Sequence, residues 1–505
     1  MAENDNDAGT EPAAPAQATS RDTIYAPATA AGRAAVAVVR ISGPRAGVAF
    51  LALAGGPRTE FPPPRHAAFR KLRDPATGGI IDEALVLWLP GPHTETGEDM
   101  AELQMHGGRA IMAAVIAALS SIEGLRLAEP GEFARRAFDA GKLDLTALEG
   151  LGDLIAAETE AQRRQALRQM QGALGRRYED WRERLVHALA HLEAAIDFPD
   201  EGLPDDVAYG VAREIAKLAA EMRGHLDDAR RGERLRDGLR VVLTGTPNVG
   251  KSSLFNLLVG REAAIVSPEA GTTRDVIEAA FDLAGYPVLL SDTAGLRDEP
   301  NPVDAVGDAN NDTAAGDYVR EPVDVLEGSP AGAPAAAPIG AIEREGMRRA
   351  RDRLADADIR LRVLDATEPS ALETLELDAA IDPDTILVVN KIDLAPDALR
   401  HFPAHLPAIA MSATTGEGFP ELEERLAIAV AQRLEPGAEP ALTRARHRAA
   451  IEECLDCFSR MADAGGPELA AEDLRLAARA LGRITGRVDV EDLLDVIFRD
   501  FCIGK

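Results

Sequence analysis

The chain has 505 residues, of which 46% are apolar, and a formal net charge of −29 at pH 7. That length is more than one core can organise and suits about three domains. The charge argues against general coating of nucleic acid, which needs a surplus of Lys and Arg, but leaves room for a local basic face; its main reading is solubility.

The opening MAENDNDAGTEPAAPAQATS is acidic, without the apolar segment of a secretory signal or the arginines of a transit peptide. Residues 1–21 are read as a disordered tail. Three cysteines set no disulfide framework, and no uninterrupted apolar run reaches about 18 residues, so a membrane-free cytoplasmic protein is expected.

Residues 22–142 have a mixed α+β texture. Val36–Ile41, Ala84–Leu89 and Ala101–Met105 read as strands, whereas GRAIMAAVIAALSSI and PGEFARRAFDAG read as helices, the second opening on Pro130 with Glu132 in its first turn. Residues 143–236 turn almost wholly helical, with a break near Asp197–Pro204. From 237 to 434 short apolar runs (VVLTGT, PVLLSD, IRLRVLD, TILVVN, AIAMSA) alternate with helical stretches, which predicts a parallel sheet with helices on both faces. Helix returns over 435–505. The fold predicted is thus an α/β domain inserted into an α-helical domain and preceded by an α+β domain. Asp298–Ala341, with nine acidic residues against one Arg and the run GSPAGAPAAAPIG, has little to bury and is read as a disordered insertion.

The α/β part carries the chemistry. GTPNVGKSS, Gly245–Ser253, fits G-x-x-x-x-G-K-[ST] between a strand and a helix. Glycines there let backbone N–H groups curl around a β-phosphate, Lys251 supplies a mobile positive charge, and Ser252 offers a hydroxyl to Mg²⁺. Four loops follow in order. GTTRD offers Thr273 as a second Mg²⁺ ligand. DTAG ends a strand, with Asp292 near the metal and Gly295 free to donate its N–H. NKID places Asp393 to accept both N–H groups of a guanine edge, an arrangement adenine lacks. SAT closes over the guanine O6. The GTP-binding set is therefore Asn248, Val249, Gly250, Lys251, Ser252, Ser253, Ser267, Pro268, Glu269, Ala270, Gly271, Thr272, Thr273, Asp292, Thr293, Ala294, Gly295, Asn390, Lys391, Asp393, Ser412, Ala413 and Thr414. Leu296, straight after the DTAG glycine, stands where Ras-like proteins carry the glutamine that aims the attacking water. Leucine has no hydrogen-bonding group for that task.

The matches DTIYAPAT, VVRISGP, LPGPHTETGEDMAELQMHGG, PGEFARRAFDAGKLDL, AAIDFPDE, GREAAIVSPEAGTTRD and the terminal FCIGK resemble the MnmE (TrmE) family of tRNA modification GTPases along essentially the whole chain. The resemblance implies that the water is positioned by Glu343, in the I-E-x-E-G pattern at Ile342, although this chain interposes the 298–341 insertion where the family has a short linker. It implies K⁺ in the site when two GTPase domains pair, with Asn248, Ser267, Glu269 and Thr272 as ligands. It assigns the N-terminal domain to dimerisation and to a tetrahydrofolate derivative, 5,10-methylene- or 5-formyl-tetrahydrofolate, with Arg40, Glu102, Lys142 and Lys505 as the matching positions. Carboxylates accept from pteridine N–H groups and cations suit a folate glutamate tail; a plain salt bridge is the alternative for Arg40. The family's PPGRGG is AAGRAA here, Ala30–Ala35, which affects local loop geometry. Cys502 is either a nucleophile or acid/base near the folate or an inert small residue.

The function implied is GTP-dependent addition of a carboxymethylaminomethyl or aminomethyl group at C5 of the tRNA wobble uridine. The partners implied are a second copy of the chain and an FAD-dependent MnmG (GidA)-type protein, in a heterotetramer or larger complex. The rivals are a ribosome-assembly GTPase switch, which has no use for the folate-like domain or FCIGK, and a regulatory GTPase that keeps the fold but has lost activity because of the insertion. Two basic islands, Ala161–Leu185 with seven arginines against three acids and TRARHR at Thr443–Arg448, are either a phosphate-facing surface or solvated helix faces. Cys454 and Cys457 form a C-x-x-C on a helix with no second pair, a poor zinc or redox pattern. His187 and His191 read as ordinary helix residues.

Overall fold

The computed structural model describes residues 22–55, 60–197, 206–261, 264–265, 278–292, 355–368, 382–397, 407–435, 437, 440–488, 497 and 504. Contacts divide the chain into two compact units, one of residues 1–156, 165–227 and 444–505, the other of residues 157–164 and 228–443.

The first unit begins with a six-stranded sheet of order β3-β4-β5-β2-β1-β6. The strands are β1 (Thr23–Pro27), β2 (Ala34–Ser42), β3 (Ala68–Arg73), β4 (Ile80–Leu89), β5 (Met100–Gly107) and β6 (Leu125–Leu127). All neighbours are antiparallel except β1 and β6. Alternation decides its faces. Along β5, Ala101, Leu103 and Met105 are buried against α1 (Ala46–Ala54) and α2 (Arg109–Ser120), while Glu102, Gln104 and His106 point the other way. The short strands β1 and β6 lie among polar and proline residues that hide them from a pattern reading.

The rest of this unit is helical. It comprises α3 (Glu132–Asp139), α4 (Leu145–Ala156), α5 (Glu160–Met170, its first turn counted with the second unit), α6 (Ala173–Asp197) and α7 (Asp206–Leu226), then α11 (Ala445–Ala462) and α12 (Pro467–Thr485). On α6 a stripe of Tyr178, Trp181, Leu185 and Leu192 is buried. On α12 the inward row is Ala470, Ala471, Leu474, Ala477 and Leu481, small enough to let α6 and α11 approach closely.

The second unit is a seven-stranded sheet of order β13-β12-β11-β7-β10-β9-β8. It is built from β7 (Leu239–Thr244), β8 (Ala264–Ile265), β9 (Glu278–Leu283), β10 (Tyr286–Asp292), β11 (Ile359–Asp365), β12 (Thr385–Asn390) and β13 (Ala408–Ala410). The helices α8 (Arg231–Asp237), α9 (Lys251–Arg261) and α10 (Phe419–Leu434) belong to it. The five strands from β13 to β10 are parallel and largely apolar, as expected of strands covered on both faces. The five runs read from the sequence as a parallel sheet are these strands, and on the β10 side the sheet continues with strands that the sequence reading did not include. There β9 and β10 form an antiparallel hairpin through Ala284 and Gly285, both with positive φ (51° and 89°), and β8 extends it. Two consecutive residues of that conformation match the right-handed twist of a tight hairpin.

Candidate active site

The C-terminal ends of the parallel strands carry the loops singled out by sequence, which is where open α/β sheets place their ligands. The first runs from β7 into α9. Gly245 has φ +147°, and a Cβ there would lie 2.3 Å from the Val363 carbonyl oxygen. Gly250 has φ +95°, and a Cβ there would lie 2.2 Å from the Asn390 side-chain nitrogen. Asn248 takes the left-handed conformation at φ 65° and is exposed at the rim, while Val249 is buried beneath. Lys251, buried at the start of α9, donates from Nζ to the Gly245 and Thr246 carbonyls at 3.1 and 2.9 Å, so its ammonium arches over the loop. With no acidic residue in its first turn, α9 presents an uncompensated positive dipole end.

Beside this loop, the exposed Ser252 donates from Oγ to Asp292 Oδ2 at 3.3 Å, and Asp292 is buried at the end of β10. Parallel pairing of β10 with β7, Asp292 opposite Leu243, brings this carboxylate next to the loop. A hydroxyl and a carboxylate side by side are the oxygen donors that a hard divalent cation takes. Ser253, the next residue, is exposed.

A third element holds the loops together. Asn390, buried at the end of β12, donates from Nδ2 to the Val249 carbonyl at 2.7 Å and accepts from the Ala413 N–H at 2.9 Å. One side chain thereby fixes the phosphate loop relative to the 412–414 loop. Lys391 follows in left-handed conformation (φ 68°) and donates to Asp365 Oδ2 at 2.6 Å. Burial by itself raises the Asp365 carboxyl, but the hydrogen bonds from Lys391 and Thr367 outweigh it and hold it below the usual carboxylate range. Asp365 was not among the residues chosen from sequence. Its signal is a carboxylate closing an apolar strand in register with Asn390. Asp393 is exposed in the turn closed by the Leu394 N–H on the Lys391 carbonyl, 3.0 Å. Ser412 is buried and accepts from the Thr415 N–H at 3.1 Å; Ala413 is half-buried and Thr414 exposed.

Ser267, Pro268, Glu269, Ala270, Gly271, Thr272, Thr273, Thr293, Ala294, Gly295, Leu296, Glu343, Cys502 and Lys505 lie outside the described residues, as do residues 1–21 and 298–341.

The N-terminal candidates meet around one loop. Arg40 on β2 and Glu102 on β5 are cross-strand partners, and Arg40 donates from Nε to Glu102 Oε1 at 3.0 Å and from Nη1 to Glu95 Oε2 at 2.9 Å. Lys142 donates to the Pro92 carbonyl at 2.7 Å, so Arg40 and Lys142 both contact the turn from Gly91 to Glu98, and Glu102 reaches it through Arg40. Gly504 is buried, and a Cβ on it would sit 2.0 Å from the Pro27 carbonyl, which brings the penultimate residue against β1.

Most arginines of the two basic islands have partners within the protein. In the first, Arg163 and Arg164 pair with Glu160, Arg182 with Glu179, and Arg184 with Glu214 and Glu221. Arg177 stacks over the Trp181 ring at 5.4 Å. In the second, Arg444 pairs with Asp153, Arg446 and His447 with the buried Glu149, and Arg448 donates to the Leu226 carbonyl. Cys454 and Cys457 are both free and buried, and burial pushes both thiols up. His191 donates from Nδ1 to the His187 carbonyl at 2.7 Å, an intrahelical bond on α6. Among the described residues no group of three His, Cys, Asp or Glu side chains can hold a metal, and no helix is long and apolar enough to cross a membrane.

Residues 145–502 match the MnmE helical domain, and residues 23–142 match the GTP-binding protein TrmE N-terminus. The chain belongs to the MnmE family. It is 51% identical to the tRNA modification GTPase MnmE of Paramagnetospirillum magneticum, over 96% of this chain and 100% of that one. The proteins of the same name from Parvibaculum lavamentivorans and Rhodospirillum rubrum are each 50% identical over 96% of this chain, covering 100% and 99% of their own lengths. The G domain of the T. maritima FeoB iron transporter is 26% identical over 38% of this chain and 98% of its own, at a TM-score of 0.23, too low for any statement about shape.

Proposed function

We propose that this chain is a GTP hydrolase that modifies tRNA. With an FAD-dependent MnmG (GidA)-type partner it builds a carboxymethylaminomethyl, or aminomethyl, group at C5 of the wobble uridine. The observation that carries the reading is the single side chain of Asn390 tying the phosphate loop to the guanine-side loop in a chain half identical to tRNA modification GTPases.

In this reading Lys251 and the loop N–H groups hold the phosphates, and Asp393 selects guanine. Ser252 and Asp292, with Thr273, suit Mg²⁺, which when bound neutralises phosphate charge. Glu343 orients the attacking water, the task that Leu296 cannot perform. Asn248, exposed at the rim of the loop, is a K⁺ ligand together with Ser267, Glu269 and Thr272. Residues 237–434 form the GTPase domain, with 143–236 and 435–505 as the helical domain.

Residues 22–142 are assigned to dimerisation and to a tetrahydrofolate derivative held by Arg40, Glu102, Lys142 and Lys505, with Cys502 beside it. The clustering of three of these residues around one turn, and Gly504 packed on β1, support that assignment. Glu102 accepts pteridine N–H groups in this reading, and its pairing with Arg40 orients it for the ligand. The protein works in the cytoplasm as a homodimer, in a heterotetramer or larger complex with its partner.

Mass spectrometry of tRNA nucleosides from a deletion strain tests the function. Loss of the modified wobble uridine is expected, and its persistence at the parental level would refute the reading. Hydrolysis is also expected to be faster in K⁺ than in Na⁺, and Asn248→Ala to abolish that difference; equal parental rates in both salts would remove the cation assignment.

A further inference from the structure

We propose that β3 and the turn leading into it, residues 65–73, are a contact surface for the RNA substrate. The inference rests on the reading that tRNA is what the enzyme acts on. The segment RHAAFRKLR carries Arg65, Arg70, Lys71 and Arg73 together with His66, and no acidic residue. It lies at the end of the six-stranded sheet, where β3 has a single neighbour.

Unlike Arg446, which meets the buried Glu149, its cations have at most one ion pair among the described residues, and that one is exposed. Among the described residues Arg65, Arg70 and Arg73 make no ion pair; Arg65 and Arg73 donate instead to the carbonyls of His93 and Gly78. Lys71 approaches Glu83 at 3.5 Å with both side chains about half exposed, a pairing that water screens heavily. In a chain of net charge −29, a run of this kind is a local positive feature.

Phe69 sets the kind of partner. It sits within the basic run, on the same face of β3 as Lys71 and on the opposite face from Arg70, and is 65% exposed. Cations on an end strand also serve to discourage edge-to-edge pairing. An exposed aromatic ring there works against that purpose, and a flat partner stacked on it would give it a use. Basic side chains interleaved with an exposed ring are the equipment for unpaired nucleotides, with phosphates on the cations and a base stacked on the ring. A tRNA offers such nucleotides in its loops.

Binding of a fluorescent, unmodified tRNA transcript to the full-length protein, followed by anisotropy across a salt series, tests this. Arg70→Gln/Lys71→Gln is expected to flatten the salt dependence by between one and two units of the log–log slope. Phe69→Ala is expected to weaken binding about tenfold with little change in that slope. GTP hydrolysis should be unchanged in both; Phe69 and Lys71 are exposed and Arg70 is half-buried without an ion pair among the described residues, and an unchanged circular dichroism spectrum checks that both variants fold. If the parent binds and both variants match its affinity and slope, the surface is wrong while the function stands. If they lose self-association, by sedimentation, but keep RNA affinity, the strand is a protein interface and the proposal fails. If the parent binds no tRNA, the functional reading falls, and this surface with it.

Discussion

At the scale of single residues, the site depends on backbone conformations that few side chains tolerate and on one buried amide. Gly245 and Gly250 have positive φ and touch neighbouring groups where a Cβ would sit, so the loop can close down only with glycine at both positions. Asn390 satisfies the Val249 carbonyl and the Ala413 N–H at once, and truncating it would strand two backbone groups, at about 1–3 kcal/mol each if they stay buried. Glu343 has a different kind of role, since its assignment rests on family resemblance. If it positions the water, Glu343→Ala is expected to slow single-turnover hydrolysis at least about tenfold, roughly 1.4 kcal/mol of barrier, with GTP affinity nearly unchanged. Normal hydrolysis by this variant would hand the task to another group.

At the scale of elements, α4 and α11 are joined by a buried charge cluster. Glu149 accepts from Arg446 Nε at 2.7 Å and pairs with His447 at 3.0 Å, and Arg446 also reaches the Ile484 carbonyl at the end of α12. Burial alone would raise the Glu149 carboxyl, but His447 and Arg446 hold it down at about 2. Its folded value is thus below its unfolded one. The stabilisation is present above about pH 4.5 and is lost as pH falls toward 2. Glu149→Gln leaves Arg446 and His447 without their charge partner, at a cost of about 3–5 kcal/mol. Thermal unfolding followed by circular dichroism should show a lower transition for the helical bundle at pH 7, with a smaller loss on acidification than in the parent. An unchanged transition would mean that the cluster contributes nothing net. These residues read in the sequence as a basic island, because their acidic partners lie some 300 positions away along the chain and only the folded helical bundle brings them together.

At the scale of the whole molecule, the chain leaves and re-enters one unit to build the other, and a further insertion interrupts the second. Residues 298–341 carry no motif, and long loops add little closure entropy. Deleting Asn301–Pro338 is therefore expected to leave GTP affinity intact and hydrolysis equal or faster, measured by single-turnover assay with nucleotide binding as control; a hydrolytically dead deletion would place part of the chemistry inside the insertion. What the sequence by itself determined is local. The phosphate loop, the ends of β10 and β12, and most apolar strands and helices are legible because a strand–loop–helix motif and an apolar period are written within a few consecutive residues. Tertiary structure decided what depends on partners far along the chain. The antiparallel hairpin beside a parallel sheet, the Asp365–Lys391 pair, the meeting of Arg40, Glu102 and Lys142 at one turn, and the neutralisation of the helical arginines all follow from which strands and helices lie side by side. No local pattern encodes that, because charge pairing and burial depend on distance in space.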